Sequence, residues 1–574
     1  MNNFFGVIGE SGGVFSEHEL SNRLDFDTFS FRSHLDGRFS EDRFLIDCER
    51  YALYFDGFLF DIGLFSDSKS YFLAKLDSQD IESLVAELNG VYAGVFVDKV
   101  RHKTVLFTDH LATRKVFYAK SGNVVFFGSK LKFITDELRE RNSLTVDESA
   151  VYGFLGFGFF LSNTTYFLEV RTLLPGEIVE IDHATKDLKI KRAFQFQVKK
   201  RDWDENTLLA EVDRLFSRSV KRLTDLNQRY GYKTAGALSA GLDSKTVVVS
   251  MHDQGVRDAL TVTFAQSGSL DCSVPQKVAN DLGYEHIYGS LDGGNYLMRF
   301  RREYIKISEG LLSYQTAVHG YSVLSKLNWK DVGIFLSGQI GDVVFGSFLG
   351  KKFDNVDSMK SLSYCGVAQP EVYDRVPILE SFFDEYRLRG WEMFNYEQRQ
   401  SNGTICGDIF VRHMVETASP FFDRELIALM LSVNDEELIG SKLYIKWLKK
   451  FHPAVLEYVW DKCGARPTSF HKIKYGAQIR RVVGFLRRKL GLASGMNPFD
   501  KWMSDNPSIL LDLKKEFDAG LNAVKISDSL RNEMSKLYHS NADRNSFNRF
   551  VVVTCLLGLS LHQRGDFFSI SPSL

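Results

Sequence analysis

The stretch "GALSAGLDSKTVVV", residues 236–249, decides how this chain is read. "TAGALS" has the composition of a strand and "SKTVVVSMH" that of a helix, so Ser239 to Ser244 form a strand–loop–helix junction. Such a junction aims backbone N–H groups and a helix N-terminus at one point, which favours an anion. Gly241 lets the backbone approach that anion closely. Ser239 and Ser244 add hydroxyl donors, and Asp243 can help hold a magnesium ion that neutralises phosphates. The spacing is not that of the mononucleotide loop G-x-x-x-x-G-K-[ST], and "GSFLGKK" (346–352) falls one residue short of it.

A second loop strengthens the reading. "LSGQIGDVVFG" (336–346) follows the strand-like "VGIF" and again places Ser337, Gly338, Gly341 and Asp342 at a strand's end. Ligands of open α/β sheets sit outside the carboxyl ends of the strands, so the two loops are expected to converge on one site.

The surroundings fit. From about residue 200, strand-like and helical segments alternate: "DENTLLAEVDRLFSRSVKRLTDL", "DALTVTF", "VPQKVANDLG", "EHIYGSL", "SVLSKLNW". That alternation predicts a parallel sheet with crossover helices. Beyond about 355 the chain reads as mostly helical. Residues 1–195 differ: short β-type runs such as "NFFGVIG", "RYALYFDGFLFD", "VYAGVFVD" and "NVVFFGS" are separated by turn residues, with one helical segment near "SQDIESLVAEL". This predicts an antiparallel, sheet-rich domain. Charge rises at "FQVKKRDWDE", which places a linker near 195–205 and domains at 1–200 and 201–574.

Composition excludes several classes. The net charge of −2 supplies no whole-chain field toward nucleic acid. The six cysteines form no C-x-x-C pair, which fits reduced thiols in a cytoplasmic protein better than zinc or disulfides. The N-terminal segment does not read as a signal peptide, and "FVVVTCLLGLSLH" is too short to span a bilayer and reads as a buried helix.

Taken together, the motifs resemble the asparagine synthetase family, whose members carry S-G-G-x-D-S, then L-S-G-x-G-x-D-E, then P-F-L-D and a late lysine. Here these read "LSAGLDS" (238–244), "LSGQIGD" (336–342), "SPFFD" (419–423) and "DKCGARP" (461–467). "YFDGFLFD", "LNGVYAGVFVD", "FFGSK" and "LLPGE" are similar to landmarks of the family's glutaminase domain. The resemblance implies an α+β N-terminal sandwich of the Ntn-hydrolase type. An α/β adenine-nucleotide (PP-loop) synthetase domain with a helical C-terminal part would follow. It implies an ATP-dependent, magnesium-assisted ligase that turns a carboxylate into an acyl-adenylate, releases pyrophosphate and passes the acyl group to ammonia or another amine. By the same resemblance, Leu238, Phe264, Ser337 and Gly338 line the adenine and ribose pocket. Ser239, Gly241, Asp243 and Ser244 hold pyrophosphate, and Asp243 and Asp342 position magnesium. Lys462 and Asp342 serve the reacting centre, while Lys442 and Lys446 are weaker candidates for phosphate contact. Asp423 reads as architectural. The acid is aspartate by default, or a peptide or sugar acid; its pocket is expected in "SEGLLSYQTAVHGYS" (308–322) and near 419–423, and a homodimer is compatible with the family.

The pattern also breaks. Glutamine-using members begin Met-Cys-Gly, and the cysteine is the nucleophile. This chain begins Met1-Asn2-Asn3. The family's N-G-E segment reads Asp56-Gly57-Phe58, and D-G-x-F reads Asn89-Gly90-Val91-Tyr92, removing two carboxylates that would pair with the glutamine ammonium. The N-terminal half is therefore expected to keep the fold without hydrolysing glutamine. Ala240 replaces a glycine, and Val343 replaces an acid. The alternatives are a tailoring ligase, forming a lactam or lasso peptide or amidating a sugar acid, and a non-catalytic member that binds nucleotide or a partner. "HKIKYGAQIRRVVGFLRRKLGL" (471–492) is basic with apolar residues at roughly helical spacing, which reads as a solvated face, a docking face for an acidic substrate, or a peripheral membrane contact.

Overall fold

The computed structural model describes residues 2–9, 20–351, 353–364, 370–490, 495–540 and 545–569. Twelve strands form the N-terminal half: β1 (Asn3–Ile8), β2 (Asn22–Phe26), β3 (Phe29–His34), β4 (Phe44–Asp47), β5 (Tyr51–Leu59), β6 (Gly90–Asp98), β7 (Lys103–Thr108), β8 (Phe117–Ser121), β9 (Val124–Gly128), β10 (Val170–Thr172), β11 (Glu177–Asp182) and β12 (Leu188–Arg192). They make two six-stranded sheets, ordered β10-β8-β9-β1-β3-β2 and β12-β11-β7-β6-β5-β4. Every pairing in both is antiparallel.

Side-chain alternation explains the stacking. In β1, Phe4 and Ile8 point between the sheets with Phe31, Tyr54 and Leu106, while Phe5 and Val7 point the other way. In β5, Tyr54 faces the first sheet, and Leu53 and Phe55 face the helices Ser68–Leu76 and Ile81–Glu87. In central strands such as β1, β5 and β6 both faces are apolar because both are covered, and the result is a helix–sheet–sheet–helix sandwich. Gly176, at φ +70°, makes the turn in "LLPGE" between β10 and β11.

More helices occur here than the single one expected near "SQDIESLVAEL". Leu131–Glu140 directly follows the β-rich "NVVFFGS", so its Phe133 and Ile134 read as more strand. Glu148–Phe157 is buried nearly all round, which leaves no helical periodicity to see, although Asp147 caps it by accepting from the Ala150 N–H.

The second half holds a parallel sheet, β13 (Lys233–Ala237), β14 (Ala259–Ala265), β15 (Glu285–Ser290), β16 (Val332–Leu336) and β17 (Glu416–Ala418), in the order β15-β14-β13-β16-β17. The chain runs outward from β13 through β14 to β15, then returns to the other side of β13 as β16. The direction of winding therefore reverses between β13 and β16, and a crevice opens above their C-terminal ends.

The halves share one core. The helix Asn545–Arg564 buries Phe550 to Leu557 completely, as "FVVVTCLLGLSLH" suggested, and packs on both N-terminal helices just described. His562 Nδ1 meets Thr135 Oγ1 at 3.0 Å, and the Tyr166 hydroxyl donates to the Gly310 carbonyl at 2.7 Å. Among the described residues no helix is long and apolar enough to cross a membrane.

A buried ionic quartet adds a polar tie. Arg43 Nε meets Asp56 at 2.9 Å and Arg43 Nη2 meets Glu416 at 3.0 Å; Arg114 meets Asp56 at 2.8 Å and Glu416 at 2.7 Å. Asp56 belongs to β5 and Glu416 to β17, so the quartet joins the two halves. Burial alone would raise the Glu416 pKa, but Arg114 and Arg43 outweigh it and hold the carboxyl below its ordinary range. Glu416→Ala leaves two buried guanidiniums sharing one carboxylate. The expected cost is about 3–5 kcal/mol, read as a lower midpoint in thermal and urea unfolding. Conversion of both Arg43 and Glu416 to leucine is expected to cost less than Glu416→Ala alone.

Candidate active site

The loop after β13 is built as the sequence suggested. The helix Leu242–Asp253 starts from Gly241 without a side-chain cap, so no side chain claims its first-turn amides. Ser239 and Ser244 brace the loop: the Ser239 N–H donates to Ser244 Oγ at 3.0 Å, and the two hydroxyls lie 2.9 Å apart. Ala240 takes no positive φ and is fully buried, its N–H donating to Asp271 at 3.0 Å. The backbone thus admits alanine where the family pattern has glycine.

The loop after β16 packs directly on the first. A Cβ on Gly338 would stand 2.5 Å from the Ser244 nitrogen, and one on Gly341 would stand 2.8 Å from the Asp243 carboxyl carbon. Glycine is required at both positions because anything larger would separate the loops. The Asp342 N–H donates to Asp243 Oδ2 at 3.1 Å, and the Tyr444 hydroxyl donates to Asp243 Oδ1 at 2.8 Å. Ile340 stands where the family pattern has its second glycine and adopts the left-handed conformation at φ +57°. A β-branched residue there stores about 1–3 kcal/mol of strain. That strain was not read from the sequence.

Above the loops lies a cavity of about 500 Å³. Ser239, Gly241, Asp243, Ser244, Phe264, Ser337, Gly338 and Asp342 all line it. Two expected residues do not. Leu238 is buried, with its N–H spent on the Val262 carbonyl at 3.0 Å. Lys462 is exposed, its Nζ 5.1 Å from the centre of the Trp460 ring. The Lys462 loop nevertheless touches the site, because the Asp461 N–H donates to the Ala240 carbonyl at 3.2 Å. Lys442 bonds the Glu436 carbonyl, and Lys446 pairs with Glu205 and Glu437, so neither faces the cavity. Asp423 is the architectural group expected. It caps the helix Arg424–Leu431 and accepts from Ser219 at 2.6 Å, Arg218 at 2.7 Å and Asn89 at 3.0 Å. Asn89 is thereby a tie between the halves.

Burial pushes the Asp243 carboxyl up to about 8, and the neighbouring Asp342 pushes it further in the same direction. Asp243 and Asp342 both line the cavity, and this donor chemistry fits magnesium, which takes one or two carboxylates and completes its shell with water and substrate phosphates. Among the described residues no group of three or more His, Cys, Asp or Glu is arranged around a metal position.

Sequence reading reached only part of the far wall. The region expected to hold the acid, 308–322, does contribute Leu312, Thr316, Ala317, His319 and Gly320. Facing them are Gly403 and Thr404 at the end of a π-helix, Asn395–Thr404, and then Asp408. Asp408 Oδ1 accepts from the Gln339 amide at 2.7 Å, while Asp408 Oδ2, Gln339 Oε1 and His319 Nδ1 are buried with no partner. Burial takes His319 down to about 4, so its ring is neutral. Asp408 carries no motif in the sequence; only the fold brings it to the cavity. Lys245 was also missed. It is fully buried, lowered to about 8 by burial, and donates to the Val459 carbonyl at 2.8 Å, tying the segment before Lys462 to the first loop's helix.

In the N-terminal half, Asn2 is buried with its amide on Asp56 at 2.6 Å. Phe58 packs edge-on against Phe39 at 5.0 Å. The cavity lined by Asn2, Asp56, Arg114 and Glu416 measures about 50 Å³.

Sheet order, loop chemistry and cavity fit a PP-loop synthetase fold behind an Ntn-type sandwich, and two domain profiles agree with that division. The glutamine amidotransferase domain profile matches residues 65–192, and the asparagine synthase profile matches residues 211–452. Glutamine-hydrolysing asparagine synthetases from Rattus norvegicus and Homo sapiens are 22% identical over 380 residues and 21% identical over 379. Each match covers 63% of this chain and 59% of the relative, so the chain spans less than two thirds of those proteins. Among solved structures, the B. subtilis glutamine phosphoribosylpyrophosphate amidotransferase matches at 11% identity and a TM-score of 0.23, over 52% of this chain and 87% of that one. The NH3-dependent NAD synthetase of Campylobacter jejuni matches at 13% and 0.19, over 36% of this chain and 97% of that one. The two domains in this order and these relatives support the asparagine synthetase family, at modest identity.

Burial lifts Asp408 to about 6, against the opposing pull of Arg412 and the Gln339 hydrogen bond. The folded chain holds this proton more tightly than the unfolded chain. Folding is therefore helped most below the ordinary aspartate range, and that help is lost as pH rises through about 6. Asp408→Asn removes a cost of ~3 kcal/mol at neutral pH. In thermal melts the variant should exceed the wild type at about pH 8 and match it near pH 4.

Proposed function

We propose that the protein is a cytoplasmic, AMP-forming amide ligase. One observation carries the reading: seven residues named from two separate loops, with Phe264 of β14, line a single cavity at the switch point of the parallel sheet. In the proposed reaction an oxygen of the acid's carboxylate attacks the α-phosphorus of ATP. The bond to the β-phosphate oxygen breaks, and pyrophosphate leaves. The first-turn amides of Leu242 to Ser244 and the hydroxyls of Ser239 and Ser244 hold that leaving group. Asp243 and Asp342 would hold magnesium, which when bound neutralises phosphate charge. An amine then attacks the carbonyl carbon, and AMP leaves with the oxygen the acid supplied. Lys462 is our candidate for the cation that offsets charge at the phosphate, reaching it through the loop that docks on Ala240.

The amine does not come from glutamine in this account. Asn2 occupies the nucleophile's position, Asp56 is saturated by Arg43 and Arg114, and the local cavity is far below the ~300 Å³ at the low end of ligand pockets. Free ammonium, or an amine on a larger molecule, replaces it. The buried, unpartnered Asp408 Oδ2 favours a substrate that brings an ammonium group into the cavity. Aspartate is the default acid. A peptide or sugar acid is the second reading, favoured by Val343, an aliphatic residue beside Asp342 where the family pattern has an acid.

The test is release of AMP and pyrophosphate from ATP, magnesium and aspartate, with ammonium or with glutamine. Turnover with ammonium alone is the expected result. Turnover supported by glutamine would overturn the silent N-terminal half. ATP binding without turnover would exclude aspartate as the acid, and failure to bind ATP would overturn the ligase.

A further inference from the structure

We propose that the helix Phe470–Lys489 docks the protein on an anionic lipid surface, lying in the plane of the interface. Tyr475, Ile479, Val482, Val483, Leu486 and Leu490 are 43–73% exposed, and their spacing of i, i+4, i+7, i+8, i+11 and i+15 sets them on one helical face. Phe485, on the flank of the same helix, is 50% exposed as well; among the described residues the remaining large exposed hydrophobic side chains lie elsewhere, as at Leu64, Val100, Leu168, Ile190, Leu388 and Leu511. Scattered apolar residues need no explanation, but a continuous stripe does.

Charge selects the occupant. The segment carries Lys or Arg at 472, 474, 480, 481 and 487–489, and no Asp or Glu from 470 to 490. Long cationic side chains beside an apolar stripe suit an anionic headgroup layer, where the stripe enters the acyl boundary and the cations reach phosphate. A second copy of the same face is a poor occupant, because a two-fold contact would bring two acid-free basic helices together.

A different face seats the helix on the protein. Ile473 is buried, and a Cβ on Gly476 would stand 2.6 Å from the Cys463 carbonyl oxygen. Glycine therefore lets the helix rest directly on the Lys462 loop. That loop meets the first phosphate-facing loop through Asp461 and Ala240. The lipid-facing helix thus stands one loop away from the proposed reaction centre, which suits an acid or amine presented from a membrane surface.

The experiment is co-sedimentation of the full chain with mixed phosphatidylglycerol–phosphatidylcholine vesicles and with phosphatidylcholine vesicles, at low and high salt. Binding to the anionic vesicles, weakened by salt, is expected. The double variant Arg481→Glu/Arg487→Glu should lower that binding about tenfold or more. Ile479→Asp/Leu486→Asp should abolish it, with circular dichroism and ATP binding unchanged. Equal binding to both vesicle types, no binding to either, or no effect of either double variant would overturn the proposal. So would a dimer in gel filtration that Ile479→Asp/Leu486→Asp dissolves.

Discussion

The site depends on one close approach. Gly338 and Gly341 have no side chains, so the loop after β16 can rest against Asp243 and Ser244 of the loop after β13. This contact brings Asp243 and Asp342 together, where burial first and the neighbouring Asp342 second raise the Asp243 pKa. It also places uncapped helix amides and two serine hydroxyls at the floor of one cavity. Ile340 in a left-handed conformation shows that the loop keeps its shape even where the residue resists it.

The N-terminal half reads as a retained sandwich put to structural use. Residues at the positions of a glutamine site instead bind the other half: Asp56 joins the quartet with Glu416, and Asn89 bonds Asp423. A sandwich whose polar groups are committed in this way cannot be removed without stranding charge in the second half. The proposed absence of glutamine hydrolysis and the persistence of the domain are then compatible.

Much of the architecture was legible because it rests on local rules. Strand alternation, turn glycines and the two strand–loop–helix junctions gave the parallel sheet and most of the antiparallel one. The two helices Leu131–Glu140 and Glu148–Phe157 were hidden, one by following a strand without a break and one by burial on all sides. The near wall of the cavity was legible for the same reason as the sheet: short loops with fixed spacing. The far wall was legible only in part, because Asp408, Gln339 and His319 come from separate segments whose meeting depends on tertiary packing. Leu238 lies outside the cavity lining with its N–H already spent on β14, a commitment that sequence cannot show. Lys462 was named from its place in the chain, and its exposed side chain leaves its role to experiment.

Everything in the mechanism follows from the acid's carboxylate attacking the α-phosphorus of ATP. The most direct measurement is therefore oxygen transfer. An acid that supports turnover would be labelled with ¹⁸O in its carboxylate, and the products examined by mass spectrometry. The account predicts that one labelled oxygen appears in AMP. Unlabelled AMP, or label in orthophosphate beside ADP, would contradict it.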